Sequence, residues 1–143
     1  MLIKISTFKT NLSSTVVFYI SEDLSFPLNL KEIDEESSGS VTRAIDMGIF
    51  KGKKGQKLFI MMPVGSKVMA VLLIGIGKIN EFKEPDSLSL GGKIFQELYN
   101  MKIKRAQIVV DFSNTKLKLN DSVLASNIAF GALLKSYKFD KYK

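Results

Sequence analysis

The chain has 143 residues, 45% of them hydrophobic and 24% charged, with a formal net charge of +7. That is about one domain's length of chain with enough apolar mass for a buried core, which excludes disorder as its main state. It contains neither cysteine nor histidine. Disulfides, thiolate or imidazole metal sites, and any Ser-His or Cys-His nucleophile drawn from this chain are therefore excluded as well.

In chain order, "LIKIST" (Leu2–Thr7) alternates apolar and polar residues, the pattern of a half-buried strand. "TVVFYI" (Thr15–Ile20) is a continuous β-branched and aromatic run, suited to a strand covered on both faces. The acidic, polar stretch "SEDLSFPLNLKEIDEESSG", with Pro27 and Gly39, reads as a loop leading to a helix start. Ser38 or Ser40 is placed to cap a short helix through "VTRAIDM", where Val41, Ala44 and Ile45 share a face. Gly48 sits where a left-handed cap would end that helix.

"FKGKKGQ" (Phe50–Gln56) is a glycine-punctuated turn. "KLFIMMPV" and "KVMAVLLIGIG" follow as a predicted β-hairpin with Gly65-Ser66 at its turn, the second strand apolar on both faces and so central. A helix is predicted through "EPDSLSLGGKIFQELYNMK", capped at Asp86 or Ser87, with Leu88, Phe95 and Leu98 on one face. Its paired glycines, Gly91 and Gly92, each cost roughly 1 kcal/mol relative to alanine, so close packing against the sheet is expected there. "RAQIVVDF" (Arg105–Phe112) is a further buried strand, and "NTKLKL" a loop. The last helix starts at Asn120 or Asp121, with Leu124, Ile128, Gly131 and Leu134 as its inner stripe. This order of elements implies an α/β architecture, a mixed sheet with helices on its faces.

No apolar run approaches the ~20 residues of a membrane span, and the N-terminus lacks the pattern of a secretory signal. The expectation is a soluble cytoplasmic protein. Charge is uneven: residues 1–50 hold four basic and seven acidic side chains, residues 51–143 seventeen and seven. A basic DNA-binding module is one reading of that excess, and a solvated lysine-rich surface is the plainer one.

Four places could carry chemistry. "LLIGIGK" (Leu72–Lys78) ends a strand with two glycines and a lysine, as a phosphate loop does in part. The dinucleotide fingerprint wants a third glycine where Asn80 stands, so a strand end with a tight turn is favoured. "FKGKKGQ" offers Lys51, Lys53 and Lys54 as phosphate contacts, against the reading of a surface turn. Glu32, Asp34, Glu35 and Glu36 form an acidic run without the calcium-loop pattern. Asp111, at a strand end, occupies a position typical of α/β active sites but has no sequence neighbour to work with. No catalytic, cofactor-binding or metal-binding residue is assigned.

Four stretches, "GIFKGKKGQKLFI", "VLLIGIGK", "LGGKIFQEL" and "NIAFGALLKSYKFDKYK", occur in an order and spacing that resemble the amino-terminal domain of leucine (cytosol) aminopeptidases. The last is the most specific: Gly131, Leu133 and Leu134, then Ser136, Tyr137, Lys138, Phe139, Asp140, Lys141, Tyr142 and Lys143. Lys135 stands where a glycine is often found. The resemblance implies a macrodomain-like three-layer α/β/α sandwich with a mixed central sheet, over residues 1–136. Residues 137–143 would then begin a connector to a catalytic domain absent from this chain, an extended strip frayed or displaced here. It further implies a parent exopeptidase that uses two divalent metals (Mn, Zn or Mg), all held in the catalytic domain, and assembles as a homo-hexamer. This chain alone would be inactive, its partners being its own catalytic domain and the other subunits. A stand-alone macrodomain-like module binding ADP-ribose or a related nucleotide through Gly75–Lys78 is the alternative.

Overall fold

A computed structural model describes residues 2–6, 15–110 and 120–141. Five strands form one sheet: β1 (Leu2–Ser6), β2 (Thr15–Ser21), β3 (Lys57–Met61), β4 (Ala70–Gly77) and β5 (Arg105–Val109), in the order β1-β5-β2-β4-β3. All neighbours are parallel except β3, which pairs antiparallel with β4 at one edge. Four helices accompany them: α1 (Leu28–Glu36), α2 (Ser40–Asp46), α3 (Asp86–Asn100) and α4 (Asp121–Lys141).

The strands' period of two sorts the core into two layers. Val17 and Tyr19 of β2 join Leu72, Ile74 and Ile76 of β4 beneath Leu90, Ile94 and Leu98 of α3 and Leu124 and Ile128 of α4. Val16, Phe18 and Ile20 join Val71 and Leu73 on the other face, beneath Leu30 and Ile33 of α1 and Val41 and Ile45 of α2. The result is the expected three-layer α/β/α sandwich with a mixed sheet. Every residue of β2 and β4 is buried, as their unbroken apolar runs require when both faces are covered. Each fully buried Leu, Ile or Phe contributes about 1.5–3 kcal/mol.

Several local expectations are corrected. The acidic stretch read as a loop contains α1, held by Leu30 and Ile33, which are 0% and 5% exposed. The cap of α2 comes from neither Ser38 nor Ser40. Gly39 takes the cap position in the left-handed region, and the Asp34 carboxylate of α1 accepts the Val41 and Thr42 N–H groups, both at 2.9 Å. The β3–β4 connection is longer than a two-residue hairpin: the Ser66 N–H donates to Pro63 O across Gly65 (φ 96°), and β4 begins at Ala70. Pro85 holds the cap position of α3, while Asp86 and Ser87 turn back to bond Lys83 N–H and Glu84 O. Leu88 and Leu134 are exposed, and Leu90, Ile94 and Ala132 take the buried places instead.

The glycines of α3 answer to α4 rather than to the sheet. A Cβ on Gly91 would stand 2.8 Å from the Ile128 carbonyl carbon and nearer still to its oxygen. One on Gly131 would meet the Leu88 carbonyl in the same way. The two helix backbones therefore touch where only hydrogens fit between them.

The tail is corrected too. α4 runs without interruption past Tyr137 to Lys141, so the expected extended strip is helix. Phe139 faces inward, its ring 5.5 Å from Phe95 and 4.9 Å from Tyr99, both edge-on. Asp111, the "NTKLKL" segment, Tyr142 and Lys143 lie outside the described residues.

Candidate functional site

Adjacent parallel strands β2 and β4 send the chain to opposite faces of the sheet: β2 leads to α1 and α2, β4 to α3. Their carboxyl ends diverge there, and open α/β sheets place ligand crevices at such switch points. A cleft of about 600 Å³ lies there, lined by Glu22 just past β2, Ile74 to Lys78 of β4 and its extension, and residues leading into and along α3.

Two motifs far apart in sequence build its mouth. The "FKGKKGQ" turn folds over the end of β4: the Gly75 N–H donates to Gln56 O at 2.7 Å, the Gly55 N–H to Gly75 O at 3.2 Å and the Gly77 N–H to Gly52 O at 2.9 Å. Gln56 Oε1 accepts the Lys51 and Lys53 N–H groups, both at 3.0 Å, which fixes the turn internally. Gly75 is required by close approach, since a Cβ there would lie 2.8 Å from the Gly52 carbonyl carbon. On the other side of β4 the Glu22 N–H bonds Gly77 O at 2.9 Å. The strand end is thus clamped from both sides, and Lys54 is carried alongside Gly77.

The floor is apolar: Ile74, Ile76, Phe82 and Leu90 line it and are themselves almost wholly buried. The rim is charged, with Lys54, Lys78, Lys83 and Lys93 facing Glu22, Glu81 and Asp86. Asp86 Oδ2 is already engaged by the Lys83 N–H at 2.8 Å, and Lys93 pairs with Glu97 at 3.0 Å. Glu97 is 3% exposed and also holds Lys57 of β3 at 2.5 Å. Burial pushes its carboxyl up, but the Lys57 and Lys93 hydrogen bonds and charges outweigh burial and hold it below the ordinary value. Beyond the cleft, the hydrogen bond from the Ser21 hydroxyl holds Asp23 low against a smaller opposing effect of burial, with help from the Ser25 N–H.

Of the residues singled out from sequence, Gly75 to Lys78 and Lys54 meet at this cleft, while Lys51 and Lys53 do not line it. Glu32, Asp34, Glu35 and Glu36 lie on α1, with Asp34 used as the α2 cap. Among the described residues no three His, Cys, Asp or Glu side chains converge as a metal seat. Phe82, Lys83, Leu90 and Lys93 carried no sequence signal, because only the docking of α3 brings them to β4. Chemically the cleft offers fixed backbone and a rim of mixed charge over an apolar floor.

A family model described as the cytosol aminopeptidase family, N-terminal domain, matches residues 7–143. The chain is 35% identical over 133 residues to a probable cytosol aminopeptidase of Rickettsia bellii (strain OSU 85-389), covering 92% of this chain and 26% of that protein. Against the probable cytosol aminopeptidase of Wolbachia pipientis wMel it is 37% identical over 94 residues, which is 66% of this chain and 16% of the relative. The chain thus spans about a quarter or less of the length of these relatives. A tomato leucine aminopeptidase mutant superposes with a TM-score of 0.71 at 21% identity, over 95% of this chain and 28% of that one, a likeness of fold. No helix among the described residues is long and apolar enough to cross a membrane.

Proposed function

The chain belongs to the cytosol aminopeptidase family, whose amino-terminal domain it matches over residues 7–143, and on that premise we propose that it is a non-catalytic domain of a metal-dependent aminopeptidase. The domain includes α4 to its end, since Phe139 packs on α3, rather than stopping at residue 136, and its connection to a catalytic domain starts from that helix. The parent removes amino-terminal residues from peptides in the cytoplasm, and this domain helps to hold a homo-hexamer together.

The observation that carries the reading is the near-complete family match in a chain that spans 26% of its Rickettsia relative. Three quarters of the relative's length is left to supply the chemistry. The two divalent metals (Mn, Zn or Mg) do not fit the described residues. The best-held carboxylates, Asp34 and Glu97, are committed to a helix cap and to two lysines, and two-metal hydrolysis needs carboxylates free to clamp adjacent ions. No catalytic step is therefore routed through the described residues. Its role in assembly is supported by α4, which leaves Phe130, Leu133, Leu134 and Tyr137 53–74% exposed, a face apolar enough to suit burial against another surface.

The test is hydrolysis of leucine p-nitroanilide with Mn²⁺. The 143-residue chain alone is expected to show no rate above buffer, and turnover by the purified chain would overturn the non-catalytic role. In the longer parent, Leu133→Asp with Tyr137→Asp should shift sedimentation from hexamer toward smaller species. An unchanged hexamer would remove α4 from the assembly.

A further inference from the structure

β3 closes the strand order, so among the described residues no strand lies on its outer side. The geometry points to this open edge as a docking site for an extended segment of another protein, apolar at its centre and acidic at its flanks, which adds to the sheet as a further strand. The ladder to β4 fixes which backbone groups are available. Gln56 O accepts the Gly75 N–H at 2.7 Å before the strand, and the Met62 N–H donates to Met69 O at 2.9 Å after it, both in register with the Leu58–Leu73 and Ile60–Val71 pairs. Bonded and unbonded pairs alternate along an antiparallel ladder, so the N–H and C=O groups of Lys57, Phe59 and Met61 turn away from β4.

Side chains along the edge suit a covered strand. Sheet edges that stay bare are usually blunted by charge, proline or a bulge. Within β3 only Lys57 is charged, and its ammonium is drawn aside to Glu97. Phe59 and Met61 are left 38% and 64% exposed, and Val64 and Met69 extend the apolar surface past the strand. Charge selects the occupant. Residues 47–80 hold six lysines and no carboxylate. Lys51 and Lys53 precede β3 and Lys67 follows it, all exposed and in no ion pair among the described residues. Glu22 approaches the 50–56 turn from the β2 side, behind the edge. A second copy, itself at +7, would bring like charges together, whereas acidic flanks on both sides of an apolar centre are attracted. In strand addition the main chain supplies affinity and alternate side chains supply specificity.

The test is fluorescence anisotropy of the 143-residue chain with a labelled peptide, Ac-EDTVTVTDE-amide, whose acetylated end keeps it from being an aminopeptidase substrate. Saturable binding with a Kd below about 1 mM is expected in about 50 mM salt. Two versions N-methylated on alternate residues of the TVTVT core, in complementary sets, read the backbone pairing without altering the protein. One set should lose at least about tenfold in affinity and the other less than about threefold. Met61→Pro removes an outward N–H and no bond to β4, so the chain should keep its circular dichroism melt and bind at least about fivefold more weakly. The neutral peptide Ac-QNTVTVTNQ-amide should also bind at least about fivefold more weakly, the gap closing in about 500 mM salt. No saturable binding up to about 1 mM, equal losses from both methylated sets, or unchanged affinity without the acidic flanks would each overturn the proposal. Sedimentation of the chain alone should show no dimer through this edge, and a dimer that Met61→Pro dissolves would assign the edge to a second copy instead. The aminopeptidase reading rests on other observations, so failure of either leaves the other standing.

Discussion

Gly91 and Gly92 are neighbours in the same helix, yet alanine should act on them with opposite signs. At Gly91 the new methyl would lie 2.8 Å from the Ile128 carbonyl carbon and closer to its oxygen, both backbone atoms of a packed helix that cannot rotate aside. Relief requires α3 and α4 to part by roughly 1.5 Å to bring the Ile128 oxygen to ordinary contact distance. Leu90, Ile94, Leu124 and Ile128, all 6% exposed or less, lose contact as the helices separate. Overpacking of this kind costs about 3 kcal/mol, and the better helix propensity of alanine returns about 1 kcal/mol. The net expectation is a loss of about 2 kcal/mol. At Gly92 the nearest atoms to the same methyl are Gly131 O at 3.7 Å and Lys135 Cβ at 3.9 Å, which is ordinary contact. Only the propensity gain remains, so Gly92→Ala should stabilise by up to about 1 kcal/mol. Urea denaturation followed by circular dichroism measures both. At about 3 °C per kcal/mol the melting temperatures should part by roughly 9 °C. Gly91→Ala within about 0.5 kcal/mol of the parent chain, or equal losses at both positions, would refute the backbone contact between α3 and α4.

Two further expectations follow from buried contacts. Glu97 is held below its ordinary value of 4.5 in the folded state, so its contribution is full above that value and is lost as pH falls through the folded one. The stability difference between the parent chain and Glu97→Gln should be about 1–2 kcal/mol at neutral pH, modest because Lys57 and Lys93 are partly exposed, and should shrink in acid. A difference constant across the acid range in urea titrations would rule out the charged pairing. Phe139→Ala removes two edge-on ring contacts and should cost about 2 kcal/mol, with faster amide exchange in the last turns of α4. Unchanged stability and exchange would mean that the tail is not held by Phe95 and Tyr99.

The strands were legible because their signal is local. "TVVFYI" and "VLLIGIG" are apolar at every position, which only a strand covered on both faces accommodates, and β2 and β4 are buried throughout. α1 was not legible, because only Leu30 and Ile33 of its inner face are strongly apolar and its acidic surface resembles a solvated loop. Its helicity comes from docking on Phe18 and Ile20, a contact made by tertiary structure. The tail was misread for a related reason. Alternating aromatics and lysines suggest an extended strip, but at helical spacing Phe139 turns toward Phe95 and Tyr99 while Tyr137 stays 74% exposed.

The sequence by itself determined the composition-level exclusions, the α/β class, most of the strands, and a family resemblance that the match over residues 7–143 bears out. Periodicity and turn chemistry act over a few residues, and those features need nothing more. What only the tertiary structure decided is which distant residues meet. It set Gly91 against Ile128 and Glu97 against Lys57, and it joined the 50–56 turn to the end of β4 to make the cleft. The physical reason is that a glycine or a lysine has no local signature for its partner. Its role is set by the backbone that approaches it, and that approach exists only once the layers have packed.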